Sequence, residues 1–144
     1  MRSLLHRLRR RDRGQALVEF GLVLPILLLL IFGLVDLGRA VYAQNALSEA
    51  ARDGARWGSV QARAGNNIPG IEDYTESRID AVPGVTATAE CITTNIVGCS
   101  PNDVLRVKAE TDMEMITPVL AQIMGAVGLN PLHLTSTSEV LVNN

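Results

Sequence analysis

From Ala16 to Val35 apolar residues follow one another with a single ionisable interruption, Glu19. As a helix these twenty residues measure about 30 Å, the thickness of one bilayer hydrocarbon core. From Asp36 to Trp57 the pattern opens into Ala, Leu, Gln, Glu and Arg without proline, which predicts that the helix continues out of the membrane as a stem. Gly, Asn and Pro gather between residues 59 and 70 and end it. Ile71, Tyr74, Arg78, Ile79 and Val82 then recur at helical spacing up to Pro83 and Gly84, predicting a short amphipathic helix. The run from Val85 to Thr94, rich in Val, Thr and Ile, reads as a strand.

The clearest alternation lies in Leu105, Val107 and Ala109 against Arg106, Lys108 and Glu110, a strand with one buried and one wet face. A helix or helical loop is expected between Met115 and Leu129. Leu132, Leu134, Val140 and Val142 share one parity with Ser136 and Ser138, giving a last strand. The expected order is helix, helix, strand, strand, helix, strand. The fold class is α+β, a long transmembrane-plus-stem helix packed on a small antiparallel sheet. Boundaries follow at a basic leader (1–14), a span (15–36), a stem (37–60) and a small α+β domain (61–144).

Charge divides the chain in the same place. Residues 1–14 hold six Arg and one Asp, leaving seven basic and fourteen acidic groups after them. Positive charge just before a span keeps the N-terminus in the cytoplasm and puts the acidic body outside. That body gives no support to nucleic-acid binding. Cys91 and Cys99 both fall on the exported side, where a disulfide is the expected state and free thiols the alternative. Closing so short a loop is worth about 2.5 kcal/mol on the chain-entropy estimate.

Catalytic chemistry is not indicated. The two histidines are His6, in the leader, and His133, in a strand, and there is no nucleophile elbow, phosphate loop or His/Cys ligand cluster. Neither a metal nor a cofactor is expected. Glu72, Asp73, Glu76 and Asp80 lack the alternating donors and turn glycine of a calcium loop and read as a solvated face. Glu110, Asp112 and Glu114 alternate as strand residues facing solvent.

Four features remain to be assigned. Glu19 is either a carboxylate tolerated at the membrane edge or a residue with a partner, since burying a charge is costly unless it is paired. Pro25 removes a helical hydrogen bond and presses on the Gly21 carbonyl, so a kink or local melting is expected there. Ala46, Ala50, Gly54 and Gly58 form a ridge of small residues that allows close packing, either on the protein's own sheet or on another subunit. Val41, Tyr42 and Ala43 offer a rival reading as a signal-peptide cleavage site, although Asp36 and Arg39 intervene.

At Gly14-Gln15-Ala16-Leu17-Val18-Glu19-Phe20 the sequence resembles the processing site of type IV prepilin-like proteins. It resembles more closely the anchor of the TadE/TadG-like family of tight-adherence (Flp) pilus pseudopilins, TadE above all. The likeness runs through Arg56 and is loose beyond it. It implies a pilin-like fold, cleavage between Gly14 and Gln15 by a prepilin peptidase, and Glu19 and Phe20 as the glutamate-aromatic pair used in assembly. The implied location is the bacterial inner membrane, with the N-terminus cytoplasmic and the filament as a later destination. The implied partners are membrane lipid, the peptidase, other pilin or pseudopilin subunits and the pilus assembly machinery. Two other functions compete with this one: a membrane-anchored binding domain unrelated to pili, and a secreted protein released near Ala43.

Overall fold

A computed structural model describes residues 2–61, 67–92, 99–100 and 102–142, with side chains from residue 14 onward. The first element, α1 (Arg2–Gln61), is one helix of sixty residues with Pro25 inside it. The helix continues unbroken through that proline. At 1.5 Å per residue α1 is about 90 Å long, three times a hydrocarbon core, so most of it lies beyond any one span. The remaining elements are α2 (Ile68–Ser77), β1 (Thr86–Cys91), β2 (Val104–Met113), α3 (Pro118–Ala126) and β3 (Leu132–Leu141). Their order is the expected one, and the strands form an antiparallel sheet ordered β1-β2-β3.

Alternation decides how the sheet sits. Leu105, Val107, Ala109, Thr111 and Met113 of β2 are buried, while Arg106, Lys108 and Glu110 are on the other face. Two apolar clusters join that face to the helices. One gathers Ala43, Leu47, Ala50 and Ala51 of α1 with Ile79, Val82, Ala109 and Met113. The other gathers Ala55 with Ile71, Ala89, Leu105, Val107 and Val142. The outer half of α1 is therefore a core helix of the domain as well as a stem.

α2 differs in register from the expectation. It runs from Ile68 to Ser77 rather than from Ile71 to Val82. Pro69 fits the first turn because the amide it lacks has no helical partner there. Past Ser77 the chain tightens into turns in which Arg78 N donates to Thr75 O (3.2 Å) and Ile79 N to Glu76 O (3.0 Å). Ile79 and Val82 are still buried, but from these turns rather than from the helix. α2 is fixed to α1 by a stack of Trp57 on Tyr74, centroids 4.7 Å apart, and by Arg78 reaching Asp53 at 3.3 Å.

Two of the acidic residues read as a solvated face have a structural role. Glu76 Oε1 accepts from Ala87 N (2.9 Å) and Glu72 Oε1 from Ala89 N (3.0 Å), on the side of β1 that faces away from β2. Four residues of helix rise about 6 Å and two residues of strand about 6.6 Å, so carboxylates at i and i+4 match alternate amides of an edge strand. One edge of the sheet is covered in this way.

Candidate assembly surface

Side chains from residue 14 to residue 35 are mostly uncovered by the rest of the protein. Leu17, Val18, Phe20, Leu22, Leu30 and Leu34 each expose more than 60% of their surface. Among the described residues Gly14–Gln61 is the stretch long and apolar enough to cross a membrane, and its apolar window has no burial inside the protein. Core helices of soluble proteins meet the same length test by being buried; this one does not. Gly14 and Gln15 lie within the helix and are exposed, with nothing within 4 Å of a Cβ placed on Gly14. Glu19 is one turn above Gln15, also exposed, and Phe20 stands beside it.

The ridge of small residues takes the opposite situation. Ala50, Gly54 and Gly58 are buried and Ala46 is half-buried. A Cβ on Gly54 would run into Thr75 Oγ1, and one on Gly58 would lie 2.6 Å from Leu105 Cδ2 and 3.0 Å from Ile71 Cδ1. At Gly54 and Gly58 the ridge packs against the protein's own α2 and sheet. On α1 that leaves residues 16–35 as a free apolar surface.

Between these two regions lies Asp36, only 5% exposed. Its Oδ1 accepts from Ile116 N (3.2 Å) and its Oδ2 from Thr117 N (3.1 Å), and the Thr117 hydroxyl also bonds to it. Arg39 lies 3.7 Å away on the same helix. A carboxylate beside the start of α3 meets the positive end of that helix and satisfies two amides at once. Sequence reasoning passed over this residue because its partners are backbone groups eighty residues further along. The one available signal was its place as the first acid after the apolar run that ends at Val35.

Residues 14–56 match the family model described as TadE-like protein. Its N-terminal segment is TadE-like. No curated protein and no solved structure matches the chain. The TadE-like segment takes in Gly14, Glu19, Phe20, Pro25, Asp36 and the ridge as far as Gly54, and stops before Gly58 and the whole sheet. Among the described residues one helix is long and apolar enough to cross a membrane, which is consistent with membrane anchoring.

Outside the TadE-like segment, Cys91 and Cys99 are joined in a disulfide next to the second apolar cluster. The residues between them, at 93–98, lie outside the described residues, as do 62–66 in the expected loop after the stem and the side chains of the leader, His6 included. On the solvent face of the sheet Arg106 bridges Glu90 (3.0 Å) and Glu139 (2.8 Å), its partners across β2–β1 and β2–β3. Hydrogen bonds first to Glu139 and then to Glu90 raise the Arg106 pKa above the ordinary guanidinium value. His133 Nδ1 lies 2.6 Å from Asp112 Oδ1, its cross-strand neighbour, on an exposed surface. Among the described residues no group of three or more His, Cys, Asp or Glu could hold a metal ion.

Proposed function

We propose that this protein is a TadE-like pseudopilin or minor pilin that takes part in assembling a tight-adherence (Flp) pilus. The observation that carries the reading is the TadE-like match over residues 14–56, which begins at Gly14 and contains the glutamate-aromatic pair. In this reading the leader (1–14) is cytoplasmic, the span (15–36) holds the chain in the inner membrane, and the stem (37–60) and domain (61–144) are exported. A prepilin peptidase cuts between Gly14 and Gln15. The amine freed at Gln15 then needs a negative partner in an apolar setting, and Glu19 of a neighbouring subunit supplies it. Pro25 is the point at which the helix loosens as stems pack together. The exposed apolar side chains of residues 16–35 pass from lipid to other pilin subunits, which fits a surface with no partner inside its own fold.

N-terminal sequencing of the membrane-bound and secreted products tests this. A chain beginning at Gln15, and only in cells that contain a prepilin peptidase, is the expected result. An intact Met1 would instead mean an anchored binding domain unlinked to pili, and a chain beginning at Gln44 a secreted protein released after Ala43.

A further inference from the structure

α3 is apolar, yet none of its residues is buried. Ile116, Val119, Ile123 and Val127, spaced three and four residues apart, point away from the domain and expose 66%, 51%, 55% and 65% of their surface. Leu129 continues the exposed apolar surface, and no charged residue occurs between Glu114 and His133. A nine-residue helix has little stability of its own in water, and this one is not held by a core. Its ties to the rest of the protein include the Asp36 hydrogen bonds ahead of its first turn and Leu120, whose Cδ1 lies 3.2 Å from where a Cβ on Gly33 would be. Gly33 is within the apolar span, three residues and therefore about 4.5 Å deeper than Asp36 along the helix axis. A helix that touches the span at that depth lies beside the lipid when the span is in a bilayer.

We propose that residues 116–129 form an interfacial wedge, set into the domain-side leaflet of the membrane that α1 crosses, with Ile116, Val119, Ile123 and Val127 against acyl chains. This rests on the reading of α1 as a membrane anchor. The depth at Gly33, about 4.5 Å below Asp36, is that of a helix lying at the shallow edge of the roughly 5–10 Å that interfacial helices bury. Asp36 acts as the pin that holds the wedge to the anchor, and the domain is held at two points on the membrane rather than one.

The test uses the full chain with single cysteines at Val119, Ile123, Leu28 or Thr137, the native disulfide left intact, each carrying a nitroxide label. The chains are reconstituted at low protein-to-lipid ratio in vesicles of phosphatidylethanolamine and phosphatidylglycerol. Collision with oxygen, which concentrates in lipid, is compared with collision with a water-soluble nickel chelate. Positions 119 and 123 should give an oxygen-to-nickel ratio several-fold above that at Thr137 and below that at Leu28, which lies about 12 Å deeper than Asp36 along the helix axis. Nickel access equal to that at Thr137 would overturn the wedge. So would shielding from both probes, which would mean that a second copy or another protein covers the stripe. If Leu28 itself reads as water-exposed, the anchor reading fails and the wedge fails with it; if Leu28 reads as lipid while 119 and 123 do not, the wedge alone is wrong.

Discussion

Replacing Gly54 with alanine should lower the thermal stability of the full chain in detergent micelles, whereas the same change at Gly38 should raise it. Both glycines are in α1, and in a helix alanine is favoured over glycine by about 1 kcal/mol. Their surroundings differ. Nothing lies within 4 Å of a Cβ at Gly38, so the propensity gain stands alone. At Gly54 the new methyl meets Thr75 Oγ1 head-on and stands 3.1 Å from Thr75 Cβ. Thr75 is fully buried and its hydroxyl donates to Ile71 O at 2.7 Å, so it yields only by losing that bond or by moving α2 off the stem. Overpacking costs roughly 1–3 kcal/mol and the lost hydrogen bond about 1. After subtracting the propensity gain, the net destabilisation is roughly 1–3 kcal/mol, or about 5–15 °C in melting temperature for a domain of this size. Near-ultraviolet circular dichroism of the Trp57–Tyr74 stack, one turn beyond Gly54, reports the transition directly. In the double variant Gly54→Ala/Thr75→Ala the methyl finds room, and the penalty of the first change should largely disappear. If Gly54→Ala melts at or above the parent temperature, the ridge is not the tight intramolecular seam described here.

Asp36→Ala removes the acceptor for two amides and should cost about 2–4 kcal/mol locally, read as faster hydrogen exchange at Ile116 and Thr117 and through α3; unchanged protection there would show that the carboxylate is dispensable. Asp36→Asn keeps one acceptor oxygen and should lie between the two. Glu72→Ala/Glu76→Ala uncovers the outer amides of β1 and should lower stability by about 1–2 kcal/mol and increase self-association in solution, measured by light scattering of the detergent-solubilised protein. Glu19→Ala should leave membrane insertion intact and abolish piliation, and normal pili in that strain would remove the proposed pairing with the Gln15 amine.

Much of the fold can be read in the sequence because its signals are carried by side chains. The alternation at Leu105, Val107 and Ala109 marks the buried face of β2, and the apolar run from Ala16 to Val35, broken only by Glu19, marks a helix left largely exposed by the described residues. The errors arise where backbone groups decide. Glu72 and Glu76 have the spacing of a solvated helix face, and only the three-dimensional position of an edge strand shows that they are acceptors for Ala87 and Ala89. Asp36 is likewise defined by amides far along the chain. α2 is displaced from its expected limits because Pro69 opens the helix, and because Ile79 and Val82 reach the core from turns that mimic helical spacing.

The continuity of α1 has a mechanical consequence. Its inner half is the apolar span and its outer half, through Ala43, Leu47, Ala50 and Ala51, is packed into the domain, with no intervening loop. A pull on the anchor is therefore transmitted without slack to the sheet. Drawing the twenty-residue apolar stretch clear of a bilayer displaces the whole domain by about 30 Å in the same direction, and any load that unseats the stem also opens the core.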